Sequence, residues 1–223
     1  MNFVAHVEVG VRVSPPSATA EASSPLSPLL VGAALPDLAA IGRHRLKPNG
    51  AVGPLADGIR LHHRTDAVFH ADHRFRALMA ELRGGLRADG VGRGPARACG
   101  HVGVELLLDG HLLGDAEAAD RVKALLAVAA DPGPEILELV APPRRSAWQD
   151  HLRIVADRID PDAYGDPGRV AARLQRVLSV RPTLALADRD VEVLAERLGV
   201  IQPAIRKVAT ALVADTAAAL ATP

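Results

Sequence analysis

The amino-acid sequence predicts an all-α protein, and three observations carry that expectation. Apolar residues make up 48% of the 223 positions but aromatics only 2%. The core must therefore be built from Leu, Val and Ala, of which Leu and Ala are strong helix formers. Apolar positions recur at three- and four-residue spacing along most of the chain, and no alternating run of useful strand length stands out. A chain of this length suits one substantial domain and is short for two, so a single helical domain of about eight helices is expected over residues 1–223.

The elements follow in order. Residues 1–13 are a short apolar start, and residues 14–28, rich in Ser, Pro and Ala, read as a flexible loop. Leu29 to Ile41 carries Pro36, which weakens a simple helix there unless it opens one. "GRHRLKPNGAVGP" reads as a loop with a basic start. From Leu55 to Leu82 the spacing is helical, through Ile59, Val68, Phe69, Phe75, Leu78 and Met79. Glycines make 84–95 an expected loop, before a helix from Ala96 to Leu113 with room for a bend at Gly110 and a third helix within 114–134. Helical patterns recur at 135–141, 145–159, 168–179, 188–199 and 203–220. In that C-terminal part Leu137, Leu139, Ile154, Val155, Ile159, Leu174, Val177 and Leu178 read as ordinary core.

Charge and cysteine content exclude several classes. Lys plus Arg and Asp plus Glu balance at 26 each, which gives no reason to expect a nucleic-acid or membrane-surface partner. One cysteine, Cys99, excludes an internal disulfide and a cysteine-based zinc site. Neither a leader-like start nor ~18 uninterrupted apolar residues is present, so the expectation is a soluble, cytoplasmic protein. Oligomeric state leaves no mark on the sequence.

Chemistry concentrates in the first half, where eight of the nine histidines lie. His62, Asp66 and His70 stand at i, i+4 and i+8, and so do His101, Glu105 and Asp109. Such residues leave a helix from nearly one face, drifting by about 40° per step. The second line is surrounded by Val102, Val104, Leu106, Leu107 and Leu108, which predicts a central helix with carboxylates inside it. Buried, uncompensated carboxylates cost several kcal/mol, and two in successive turns repel. A divalent cation shared with imidazoles from a facing helix resolves both difficulties. A buried network paired to arginine is the alternative, with Arg60, Arg64 and Arg97 near enough in sequence to take part.

These residues also carry a resemblance. The opening "MNFVAH" is similar to Met-Asn-Phe-Leu-Ala-His, with which the acyl carrier protein phosphodiesterase family begins. "VGAALPDLA" places Asp37 at the acidic position of its Gly-Asn-Leu-Leu-(Gly/Ala)-Asp-Phe segment. "GIRLHHRTD" resembles its Gly-Ile-x-x-His-Arg-x-Ile-Asp signature at Gly58, Ile59, His62, Arg64 and Asp66. "VELLLDGHLL" answers its Leu-Asp-Val-(Phe/Met)-x-Asp-His-Phe-Leu helix, and "SVRPTLALADRD" is similar to its Arg-Arg-Pro-x-Leu segment. There are departures. Glu105 replaces an Asp, Asp109-Gly110 replaces Asp-His with His111 one place late, and Phe69-His70 replaces Thr-Asp. His101, which the family does not place there, would replace the lost imidazole.

The resemblance implies an HD-domain-like helical fold. It also implies metal-dependent hydrolysis of the phosphodiester that joins 4′-phosphopantetheine to a serine of acyl carrier protein, or cleavage of another phosphoester. The implied ligand pool is His6, Asp37, His62, Asp66, Glu105 and Asp109, with His70 and His101 added, around manganese or alternatively iron or zinc. Asp66, His62 and Arg64 are the expected catalytic residues, with Arg64 and Arg60 as phosphate contacts. Arg43, His44, Arg45 and Lys47 offer a basic loop to an acidic carrier protein. A non-catalytic metal- or ligand-binding helical protein derived from such enzymes is the other reading.

Overall fold

The structure, a computed structural model, describes residues 3–14, 26–47 and 52–221. Every regular element among them is helical. Ten α-helices are present, against the eight or so expected: α1 (Phe3–Val13), α2 (Pro28–Ile41), α3 (Pro54–Ala71), α4 (His73–Ala88), α5 (Arg93–Leu112), α6 (Ala116–Ala130), α7 (Pro134–Leu137), α8 (Arg145–Arg158), α9 (Pro167–Ser179) and α10 (Asp188–Ala221). Short 3₁₀ turns lie at Pro142–Arg144, Pro161–Gly165 and Pro182–Leu184. None of these helices is long and apolar enough to cross a membrane.

Four differences from the sequence pattern have local causes. The 55–82 segment is two helices, because Asp72 breaks it: its backbone is extended, and its carboxylate accepts from the Arg74 backbone N–H at 2.7 Å to cap α4. The expected loop over 84–95 shrinks to residues 89–92. Gly84 and Gly85 stay helical because Leu78, Leu82 and Leu86 on the same helix are buried, and that burial outweighs a glycine cost of about 1 kcal/mol each. Pro36 sits inside α2 rather than opening it, and Pro203 sits inside a continuous α10 where two helices were expected. Each proline follows a glycine by four residues, Gly32 and Gly199, and each helix buries a long apolar face around it. Of the expected loop at 14–28, residues 15–25 lie outside the described residues, and α2 already begins at Pro28.

One apolar cluster runs from Phe3 to Leu220. α10 lies along it, against α1, α3, α4, α5 and α9. Leu139, Val155, Ile159, Leu174 and Leu178 belong to this core as expected, and Leu137 packs at its edge. Ile154 and Val177 do not, being 48% and 37% exposed. They border an open groove of about 540 Å³ with Arg158, Arg173 and Arg176.

Two contacts set the geometry of the first half. α2 and α3 cross backbone to backbone at Gly32 and Gly58, where a Cβ on either residue would stand 2.1 Å from a carbonyl oxygen of the other helix. α5 runs through the interior, and its Asp109 carboxylate accepts from the N–H groups of Val4 at 3.3 Å and Ala5 at 3.1 Å. The N-terminus of α1 is thus capped by a residue remote in sequence.

Gly58→Ala is expected to destabilise the protein by at least 1–3 kcal/mol, roughly the cost of overpacking. Gly84→Ala, with nothing within 4 Å of the new methyl, is expected to stabilise it by about 0.5–1 kcal/mol. Urea unfolding reads both. The Arg74 guanidinium beside Asp72 draws that carboxyl down to about 2, with burial opposing. A depressed folded value means the cap contributes fully above the ordinary carboxylate range of ~4 and is lost as pH falls toward about 2. A carbon-detected NMR titration of Asp72 should therefore show its midpoint near 2.

Candidate metal centre

The ionisable residues singled out in the sequence separate into two groups that share α3. A helix turns by ~80° over eight residues, so the ends of a three-residue line face different neighbours. His62 looks toward α1 and α2, His70 looks toward α5, and Asp66 stands between them.

The first group joins His6 of α1 to His62 and Asp66 of α3. His6 and His62 stack with ring centroids 4.0 Å apart and planes 18° from parallel. Asp66 receives both: Oδ1 lies 3.2 Å from His6 Nε2, and Oδ2 lies 3.4 Å from His62 Nε2. The outer nitrogens are held from behind. His62 Nδ1 is 2.9 Å from the Ala33 carbonyl oxygen, and His6 Nδ1 is 3.5 Å from Asp37 Oδ2. A carbonyl only accepts, so His62 Nδ1 carries the proton and donates it. A neutral His62 then presents a bare Nε2 lone pair to a carboxylate oxygen. Either a second proton or a cation must lie between them. Two charged imidazoles stacked face to face at 1% and 4% exposure would repel in a poorly hydrated place. One divalent ion satisfies both rings and the carboxylate at once.

The spacings fit that role. Ligand atoms bound at 2.0–2.2 Å to one ion stand roughly 2.8–3.6 Å apart; each imidazole of the first group stands within that range of one oxygen of Asp66, at 3.2 and 3.4 Å, so the carboxylate would bind through both oxygens. The backing of each imidazole by a carbonyl or a carboxylate is the usual way a metal-binding histidine is oriented. Burial raises the Asp66 carboxyl, but protons on the His6 and His62 nitrogens that face it outweigh burial and hold the group far below the usual carboxylate range, the direction in which a cation in their place also acts.

The second group joins His70 of α3 to His101 and Glu105 of α5. Glu105 Oε1 lies 3.1 Å from His70 Nε2 and 2.9 Å from His101 Nε2, and the two nitrogens are 3.2 Å apart. Burial alone would raise the Glu105 carboxyl; hydrogen bonds from His101 and His70 are among the forces that hold it well below its ordinary value. Phe75 packs against both imidazoles, at 5.3 Å from His70 and 6.1 Å from His101. In each group the ligand atoms lie within 4.8 Å of one another.

Three expected residues stand elsewhere. Asp109 is in neither group, since the same turn of α5 that aims Glu105 at His70 swings Asp109 onto the end of α1. Burial pushes its carboxyl well above the usual range, against the pull of the Ala5 and Val4 N–H groups. Arg60 pairs with Asp57 at 2.5 Å, and Arg64 donates to the Leu220 carbonyl at 3.0 Å. Asp66 meets His6 and His62, and Glu105 meets His70 and His101; among the described residues, the buried carboxylate that arginines do pair is Glu8, with Arg12 and Arg121.

Two features escape a reading of spacing. The Ala33 carbonyl has no side-chain signature, and Phe75 reads simply as core. His111 belongs to neither group, and at Gly110 a Cβ would meet the Tyr164 carbonyl oxygen at 2.2 Å, so no side chain fits there. No family model, curated protein or solved structure matches this chain.

Asp109→Ala is expected to cost about 1–3 kcal/mol of stability, since it strands two backbone donors, and to leave the number of metal ions bound unchanged. Metal analysis beside thermal unfolding checks both halves.

Proposed function

We propose that the chain is a metal-dependent phosphoric diester hydrolase of the acyl carrier protein phosphodiesterase kind, with an HD-domain-like helical fold. The observation that carries this reading is the convergence of His6, His62 and Asp66 around a point that needs positive charge. The ordered motifs "MNFVAH" and "GIRLHHRTD" supply the particular reaction, the release of 4′-phosphopantetheine from the carrier protein.

The chain's own residues divide the work. His6, His62 and Asp66 would hold the cation, with manganese favoured and iron or zinc also suited to mixed imidazole and carboxylate ligands. Asp37 and the Ala33 carbonyl fix the imidazole orientations from behind. When bound, the ion supplies an activated water near neutral pH and offsets charge on the phosphoryl oxygens. Arg64 lies two residues from Asp66 and reaches phosphate only by leaving the Leu220 carbonyl. Arg45 and Lys47 share a small recess with Arg144, a basic surface suited to an acidic carrier protein.

A second reading, a metal- or ligand-binding protein that has lost catalysis, is favoured by Gly110. The family's histidine at that place is gone, and the packing of the 3₁₀ turn at Tyr164 leaves no space for it.

Protein purified without chelators should contain a transition metal, and added Mn²⁺ should raise its Tm by more than it raises that of His62→Ala. Release of phosphopantetheine from holo carrier protein should fall at least about 100-fold in Asp66→Ala. Metal uptake without release selects the non-catalytic reading, and neither uptake nor stabilisation removes both.

A further inference from the structure

We propose that the cleft between α4 and α5 is a second ligand site, in which a Zn²⁺ ion on His70, His101 and Glu105 and the guanidiniums of Arg76, Arg83 and Arg97 together bind a phosphoryl group. This goes beyond the hydrolytic reading and does not depend on it, because it uses none of His6, His62 and Asp66.

The ion comes first. The three ligand atoms form a nearly equilateral triangle with sides of 2.9, 3.1 and 3.2 Å. A centre ~2.0–2.1 Å from each then lies about 1 Å out of their plane, between the ~0.7 Å of a regular tetrahedron and the ~1.2 Å of an octahedral face, so the ion caps the triangle and keeps its far side open. Two imidazole nitrogens meeting one carboxylate oxygen leave at most a few protons to arrange among three acceptors, whereas one cation satisfies all three. Two histidines with one glutamate is a donor set that binds zinc and keeps a fourth position open. Phe69 and Phe75, themselves in contact at 4.7 Å, pack together against the His70 ring, which helps to hold it in place.

The cleft adjoins the ligand triangle through His101. His101 lines a depression of about 540 Å³ together with His73, Arg76, Arg83, Arg97 and Gly100. Its walls carry no carboxylate. None of the three arginines has an ion-pair or hydrogen-bond partner for its side chain among the described residues. Elsewhere on this chain arginines do find partners, as Arg74 does with Asp72 and Asp215, Arg121 with Glu8 and Arg197 with Asp89. Gly100 brings the backbone of α5 close to α4, where a Cβ would stand 3.1 Å from the Met79 carbonyl oxygen, and so sets the cleft's depth. Three unpaired forks in a depression that His101 also lines suit a tetrahedral oxyanion carrying two negative charges, to which guanidinium bonds bidentately.

Co²⁺ replaces Zn²⁺ with a visible spectrum that reports coordination. Titrated into metal-free protein, Co²⁺ should show one more bound ion in the wild type than in His101→Ala, while His62→Ala keeps the tetrahedral Co²⁺ signal. Inorganic phosphate and phosphoserine, added separately, should perturb that signal, the tighter of the two naming free phosphate or a phosphomonoester as the source. Arg83→Ala and Arg97→Ala should each weaken that response about tenfold without changing the ion count. Equal ion counts in wild type and His101→Ala, or a signal that neither phosphate compound perturbs, overturns the proposal. Failure of the hydrolytic centre looks different: the wild type then binds one ion and His101→Ala none.

Discussion

Two helices can touch backbone to backbone only where neither carries a side chain, and the α2–α3 crossing at Gly32 and Gly58 is such a place. Much of the first half follows from it. Ala33 is the next residue on α2, and His62 lies one turn beyond Gly58 on α3. The crossing therefore delivers a carbonyl oxygen to an imidazole nitrogen at 2.9 Å. That hydrogen bond fixes which ring nitrogen is bare and turns it toward Asp66. An extra methyl group at the crossing would separate the helices and with them the ring and its carbonyl.

The same helix serves two neighbourhoods because its three ligands are spaced by fours rather than by whole turns. His62 meets α1 and α2, His70 meets α5, and Asp66 lies within 3.9 Å of His70 Nδ1 while receiving His6 and His62. Asp66 is therefore common ground between the groups. A charge change at one is felt at the other through this carboxylate and through the body of the His70 ring, over a distance far shorter than the screening length of physiological salt.

The helical class, the boundaries of α8 and α9 and the spacing of His62, Asp66, His101 and Glu105 were legible in the sequence, because each depends on local periodicity. Where glycine and proline punctuate a pattern, locality fails: Gly84, Gly85, Pro36 and Pro203 all lie within helices whose buried faces outweigh them. The break at Asp72 was missed for the opposite reason, since a cap of one residue leaves the apolar spacing intact across it. Sequence spacing also put Asp109 with Glu105, and only the surroundings of α5 could show that one carboxylate faces imidazoles and the other a helix end. His6 and Asp37 entered through a family resemblance and not through any pattern of their own. Ile154 and Val177 looked like core because periodicity marks an apolar face without saying whether anything covers it.

The carboxylate that caps α1 has a further consequence for how the molecule comes together. Asp109 is 104 and 105 positions along the chain from the amides it satisfies. His6 is synthesised early, yet its helix lacks a finished end until the interior segment bearing Asp109 has emerged and packed. Contacts of such sequence separation close late, because the intervening loop must be ordered first. Completion of the ion-holding constellation is thus coupled to maturation of the whole interior, and a nascent fragment ending before that aspartate carries the first imidazole without the scaffold that aims it.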